Sequence, residues 1–217
     1  MKRISRHCLV LVAVLALASP VALASAGAGR GAKITRLLDA IVEMMPFGKV
    51  FDTLAADDPR WPFAEVSGKV SPEQTACVRG ELSTAGYRRY QLPLVAAYAV
   101  NHADRLESDL ALLEGGAASL FGKLVIAGAE GERTGVAVDT EAVLAGAKPE
   151  HVQAFLGVFS DPANAGLRDL AGFGEALGLE KSEAENEAAG EKVGGDLAGM
   201  LLRRAITTCG VDPKTLK

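Results

Sequence analysis

Three cysteines are the residues of this 217-residue sequence with the clearest capacity for chemistry, and they stand at positions 8, 77 and 209. Cys77 and Cys209 belong to no CxxC motif, and neither has an adjacent histidine that would stabilise a thiolate. A reactive thiol pair, the alternative, therefore has no local support. In an oxidising compartment, two cysteines are most simply explained as one disulfide. We predict a structural bridge between Cys77 and Cys209.

The histidines and hydroxyl groups form no pattern typical of catalysis or metal binding. His102 and His151 have no histidine or cysteine four residues away, the spacing of zinc ligands on a helix. The sequence has no GxSxG elbow, no SxxK motif and no Walker loop. We expect no catalytic residue, no metal and no cofactor. The alternative is an envelope hydrolase assembled from distant residues, with one of these histidines in a pocket beside a serine or carboxylate.

A cluster of aromatic and guanidinium groups is the best interface candidate in the sequence. It consists of the consecutive residues Tyr87, Arg88, Arg89 and Tyr90. Tyrosine and arginine are the side chains that most often anchor protein interfaces. The same pattern also fits a buried helix end whose arginines pair with acidic neighbours, and the sequence leaves both interpretations open.

Glycines and carboxylates are concentrated in the last predicted helix. Gly190 and Gly194 are four residues apart, as are Gly195 and Gly199, which places small residues on one helix face. We interpret that face as tight packing inside the monomer, and a docking face for a partner or a second copy is the alternative. The glutamates between positions 180 and 191 are interpreted as a solvated helix start, with an acidic contact patch as the alternative.

The N-terminus has the organisation of a secretory signal peptide. Lys2, Arg3 and Arg6 form a basic start, residues 8–18 are wholly apolar, and small residues surround candidate cleavage sites at 22–26. We predict that residues 1–26 are a signal peptide and that the remainder, 27–217, is exported to the periplasm. No second apolar run of spanning length is apparent, so we expect no stable membrane anchor after cleavage.

Removal of this segment makes the chain more acidic. Three basic residues and no acidic residue are lost, so the formal net charge changes from −4 to −7. An acidic chain disfavours the phosphates of nucleic acids and anionic lipid headgroups as partners. The expected partner is therefore another protein.

The elements that must position these residues are all predicted to be helices. Apolar residues recur at helical spacing, and no region alternates with a period of two over several strands. Ser71 with Gln74 and Ser182 with Glu185 match the capping box of a helix start, and Pro46 should end the first helix. We predict an all-α fold, a compact bundle of about eight or nine helices in a single domain over 27–217.

Several boundaries follow from proline and glycine. Residues 27–32 are predicted to be a flexible lead. One helix should run from Ser71 to about Tyr90, with a kink or break at Pro93. Gly115 and Gly116 should weaken the middle of a later helix, and residues 128–135 are predicted to form a glycine-rich break.

The segment 149–168 resembles part of a family of secreted bacterial proteins that is defined only as a domain of unknown function. In that family a helix leads through an aromatic residue to a turn with proline and then to another helix. Here Phe159, Ser160, Asp161 and Pro162 occupy the turn, and Asn164 stands where the family has glycine. The resemblance implies an all-helical fold and export, and it carries over no catalytic residue.

These observations favour a non-enzymatic periplasmic protein that acts by binding another protein. One specific form would be an inhibitor or immunity protein for a cell-envelope enzyme. Besides the hydrolase, the other alternative is a carrier of an apolar ligand. A carrier would need an unfilled cavity lined by residues such as Met44, Phe155 and Phe159.

Overall fold

The computed structural model of the protein describes residues 20–66, 68–136 and 139–216, with side chains from position 29 to 215 in those ranges. Residues 1–19, which carry most of the predicted signal peptide, lie outside the described residues. Val138, which the sequence would pair with Val136 in a short extended segment, also lies outside them.

Nine helices, and no strand, make up the regular structure of residues 20–66, 68–136 and 139–216. They are α1 (Pro20–Met44), α2 (Phe47–Asp57), α3 (Pro72–Leu82), α4 (Thr84–Asn101), α5 (Leu106–Thr134), α6 (Thr140–Ala145), α7 (Pro149–Ser160), α8 (Ala165–Ala171) and α9 (Glu183–Thr208). Short 3₁₀ turns lie at Ala64–Val66, Pro162–Asn164 and Pro213–Leu216. The predicted all-α bundle of eight or nine helices is confirmed.

Local side-chain caps fix the starts of several helices. The Ser71 hydroxyl accepts a hydrogen bond from the Gln74 backbone N–H at 3.1 Å, and the Gln74 side-chain oxygen accepts one from the Ser71 N–H at 3.2 Å. Ser182 and Glu185 make the same reciprocal pair at the start of α9. Such caps satisfy backbone donors that have no partner within the helix. Both predicted capping boxes are therefore confirmed.

Three predicted boundaries are wrong. Residues 27–32 belong to α1, so they are not a flexible lead. The predicted helix from Ser71 to Tyr90 is divided at Ser83, whose hydroxyl accepts from the Gly86 N–H and starts α4. Conversely, α4 continues through Pro93. This proline lies on the exposed side of the helix, where water can bond to the carbonyl that its missing N–H leaves unpaired.

The predicted break at 128–135 is also wrong, because α5 continues to Thr134 and ends at Gly135 in the left-handed conformation. Residues 124–129 are half-buried, and the Arg133 guanidinium forms a two-point ion pair with Glu130, three residues earlier. Packing and this pair outweigh the cost of about 1 kcal/mol that glycine imposes on a helix.

The predicted weak point at Gly115–Gly116 is a kink in α5. Residues Leu113–Ala117 form a π-helical turn, and Gly116 has a φ of 117°, which L side chains rarely adopt. A Cβ atom at Gly116 would overlap the imidazole ring of His151 on α7. The glycine therefore permits both the kink and the close approach of α7.

The core forms one cluster centred on α1 and α5. Leu37, Ile41 and Met44 on α1 are fully buried, as is Leu110 on α5. The other helices except α6 add buried side chains to this cluster. α1 crosses α5 so closely that a Cβ atom at Gly122 would overlap a backbone carbonyl of α1.

α5 is long and apolar enough, by length and composition, to cross a membrane. The prediction that no second apolar run of spanning length occurs is therefore wrong by this measure. In the structure 44% of its most apolar window is buried inside the protein.

Candidate functional site

The predicted disulfide between Cys77 and Cys209 is present. The sulfur atoms are 2.04 Å apart and the two Cα atoms 5.8 Å apart. The bridge joins α3 to the C-terminal end of α9, and the Gln74 side-chain amide donates beside it to the Gly210 carbonyl at 2.9 Å. α3 and α9 are therefore held together covalently at this end.

The cluster Tyr87–Tyr90 does not form one surface. Tyr87 is only 3% exposed and packs edge-on to Phe47, with the ring centroids 6.1 Å apart. Its hydroxyl accepts a hydrogen bond from the buried Gln91 amide at 2.7 Å. Tyr87 is thus a core residue and unavailable to a partner.

The other three residues of the cluster point to different neighbours. Arg88 forms an ion pair with Asp39 on α1, and Arg89 pairs with Glu81 on α3 at 2.9 Å. Tyr90 is half-buried against α9, where the Arg204 guanidinium lies 4.8 Å from its ring centre. Tyr87 is buried and both arginines pair with acidic residues. This geometry is that of the alternative interpretation, in which the cluster is a buried helix end.

The exposed apolar surface of α4 lies one to three turns further along the helix. Leu92, Leu94 and Val100 are 46%, 42% and 60% exposed, and Pro93 and Ala97 between them are also exposed. We call these five residues the α4 surface. No charged residue occurs from position 92 to 100. The sequence shows an apolar run over residues 94–100, but the pattern alone does not show which side of the helix faces solvent.

A buried polar network lies beneath this surface. The Tyr98 hydroxyl donates to the Asp109 carboxylate at 2.7 Å, and the Arg105 guanidinium donates to the same carboxylate at 3.2 Å. Arg105 also donates to the Asn164 side-chain oxygen at 2.6 Å, and Asn164 donates to the Gly157 carbonyl at 2.8 Å. Asp109 is fully buried. The network links α4 and α5 to the turn between α7 and α8.

Comparisons with family models, curated proteins and solved structures find no match to this chain. The resemblance of 149–168 to the secreted helical family therefore stays a prediction.

The histidines pack against neighbouring elements. The His102 ring stacks on Tyr98 with centroids 4.3 Å apart and also touches Gly166, and His151 covers the kink at Gly116. Neither imidazole makes a hydrogen bond or ion pair within the described ranges, and no group of three or more potential metal ligands occurs there. The hydrolase alternative thus gains no geometric support from these residues.

The residues that we associated with an apolar carrier are packed against other side chains. Met44 is fully buried, and Phe155 and Phe159 pack against Phe121 with centroids 6.0 and 6.2 Å apart. Elsewhere, a shallow cleft separates α2 from the end of α5 and is lined by Val50, Thr53, Leu54, Ile126, Ala129, Glu130 and Arg133. This cleft contains none of the three residues named for a carrier.

The interpretation of the glycines of α9 as a tight packing face is wrong for all four. A Cβ atom at Gly190, Gly194 or Gly195 would meet nothing within 4 Å, and one at Gly199 would contact only the flexible Arg203 side chain. The four-residue spacing places these glycines on one face of α9, but it does not show which residues lie opposite that face. These glycines weaken the helix without permitting any close approach.

We expect Gly194→Ala to raise the free energy of unfolding by about 0.5–1 kcal/mol, because alanine restricts the unfolded chain and fits the open space in the helix. Urea unfolding of the two proteins measures the difference. A loss of stability would show that another segment or copy occupies this face.

Both buried tyrosines resist ionisation. Burial raises the pKa of Tyr98, as does its hydrogen bond to the Asp109 carboxylate, and burial raises the pKa of Tyr87 against the opposing effect of Gln91. Above the usual tyrosine pKa of about 10, the unfolded chain therefore releases protons that the folded chain keeps. Stability is fully present below this pH and falls as the pH rises further.

We expect each buried tyrosine to contribute a loss of about 1.4 kcal/mol per pH unit in that range. Tyrosinate absorbance should appear for both residues only together with unfolding. The matched variant Tyr87→Phe should show a shallower decline, and an unchanged slope would contradict this assignment.

Proposed function

We propose that this is an exported, non-enzymatic protein that acts by binding another protein through the α4 surface. The observation that carries the proposal is the group of exposed apolar side chains Leu92, Leu94 and Val100 on one helix. Contiguous apolar groups exposed to water often mark interaction sites on soluble proteins. Export rests on the signal-peptide pattern of residues 1–26.

Several contacts support α4 as a preorganised binding element. The Arg88–Asp39 pair attaches its first half to α1, and the Tyr98–Asp109 hydrogen bond attaches its second half to α5. Fully buried side chains such as Val95 and Ala99 anchor the inward face. A rigid helix loses little conformational entropy on association, so apolar contacts contribute more to affinity.

The uncharged α4 surface and the acidic net charge of the whole chain favour a partner with an apolar patch and an excess of basic residues. The α4 surface carries no charge, whereas the whole chain has 27 acidic and 23 basic residues. A typical stable interface buries about 800 Å² on each partner, so these side chains would form only its centre. A basic cell-envelope enzyme, held by this chain as an inhibitor or immunity protein, is the form that we propose.

Site-specific photo-crosslinking tests the surface against a matched position. A photoreactive amino acid replaces Leu94, which is 42% exposed on α4, or Leu156, which is 40% exposed on α7. Both variants are expressed in the source cells and crosslinked in envelope fractions. We expect a discrete adduct with one heterologous protein from position 94 and none from position 156.

The adduct must then be confirmed with purified proteins. Val100→Asp should weaken binding to the captured protein by at least about tenfold, and Leu156→Asp should leave it unchanged. Equal capture from positions 94 and 156, or no capture from either, would contradict the proposed surface. An adduct between two copies of this chain would contradict a heterologous partner.

A further inference from the structure

The Cys77–Cys209 disulfide lies at the protein surface. Cys77 is exposed on α3, and Cys209 is half-buried directly after α9. Thiol–disulfide exchange requires that a thiolate reach one sulfur of the bridge, so exposed bridges are open to exchange in the folded protein. This bridge is therefore accessible to a reductant without unfolding of the core.

Contacts between α9 and the rest of the protein are concentrated at the same end. The buried residues of α9 are Leu201, Ala205 and Ile206, all in its C-terminal part. In its first half, by contrast, Gly190 and Gly194 have open space beside them. The bridge thus joins α9 to α3 at the end where the helix is packed.

The start of α9 is tied mainly to the loop that leads into it. The Asn186 side chain donates to the Gly178 carbonyl at 2.9 Å and accepts from the Gly178 N–H at 3.0 Å. These bonds span eight residues of the same segment. These two hydrogen bonds can therefore stay intact when the C-terminal end of α9 separates from α3.

α9 also covers the residue that borders the α4 surface. The Tyr90 hydroxyl lies 3.7 Å from the Met200 sulfur, and the Arg204 guanidinium stands over the Tyr90 ring. Tyr90 is four residues before Leu94, so the two side chains lie on the same side of α4. If α9 moved away, the Tyr90 ring would be exposed to solvent next to the α4 surface.

We propose that the Cys77–Cys209 bridge is a redox-controlled clasp, which a dithiol reductant opens to release α9 from α3 and uncover Tyr90. Release itself is a property of this chain, and only its consequence for binding rests on the proposed function. One thiolate of the dithiol attacks a bridge sulfur and displaces the other cysteine. The second thiolate then closes the dithiol's own disulfide and frees the first cysteine. The dithiol loses two electrons, and the two cysteines gain them with two protons.

Hydrogen exchange of the full chain carrying Cys8→Ser, read by mass spectrometry, tests the clasp with and without dithiothreitol. We expect reduction to lower the protection of amides in α9 by at least about tenfold while α1 and α5 keep theirs. The double variant Cys77→Ser/Cys209→Ser should reproduce the reduced pattern without reductant. Trp61, stacked on Phe51 at 5.7 Å, reports by its fluorescence whether the body of the fold is retained.

Two results would overturn the clasp. Equal loss of protection in α1, α5 and α9 would show that the bridge stabilises the whole fold, and unchanged protection in α9 would show that packing alone holds the helix. Because exchange is measured without a partner, either result leaves the crosslinking test of the α4 surface unaffected. Conversely, failure of that test would leave the clasp intact.

Discussion

Asp109→Ala is expected to lower the free energy of unfolding by about 3–5 kcal/mol. Asp109 is fully buried, and its two carboxylate oxygens accept from the Tyr98 hydroxyl and the Arg105 guanidinium. Alanine removes the carboxylate, so the buried Tyr98 hydroxyl loses its acceptor and the half-buried Arg105 guanidinium keeps only the Asn164 oxygen. Urea unfolding followed by circular dichroism measures the loss.

Two further variants separate the charge from the shape of Asp109. Asp109→Asn keeps one acceptor oxygen and nearly the same side-chain volume. It should therefore lower the free energy of unfolding less than Asp109→Ala does. Asp196→Ala removes the carboxylate of an exposed ion pair with Lys192 on α9, and no measurable change is expected. If Asp109→Ala were as harmless as Asp196→Ala, the network would not stabilise α4.

Gly122→Ala should destabilise the protein by about 2–3 kcal/mol. The added methyl would overlap the carbonyl oxygen of Glu43, which belongs to the backbone of α1 and cannot rotate away as a side chain can. The better helix propensity of alanine offsets only about 1 kcal/mol of this cost. Equilibrium unfolding in urea gives the value, provided that the slope of unfolding free energy against urea concentration is the same in both proteins.

Gly194→Ala is the matched control, since both glycines lie inside long helices and only Gly122 faces a neighbouring backbone. The two substitutions should change stability in opposite directions. A stabilising effect at position 122 would mean that α1 and α5 can separate at little cost.

Features coded by adjacent residues could be predicted from the sequence. The capping boxes of Ser71 and Ser182 depend on a partner three residues away, and the stop at Pro46 depends on the proline itself. The bridge was predictable for another reason. Once Cys8 is assigned to the signal peptide, only two cysteines are left to pair.

Features decided by distant neighbours could not be predicted in the same way. Tyr87 and Tyr90 have the same side chain three residues apart, yet one faces Phe47 in the core and the other faces α9. The Asp109 network joins residues up to 66 positions apart, from Tyr98 to Asn164. One signal was available, because Asp109 interrupts an apolar helix face four residues after Arg105, where a buried pair is the usual explanation.

The placement of the cysteines also simplifies oxidative folding. With Cys8 present, three cysteines allow three pairings, and two of them would trap the chain in a wrong covalent connection. If the N-terminal segment is removed as we propose, Cys77 and Cys209 have only each other. A chain with a single pairing needs an oxidant but no isomerase to correct it.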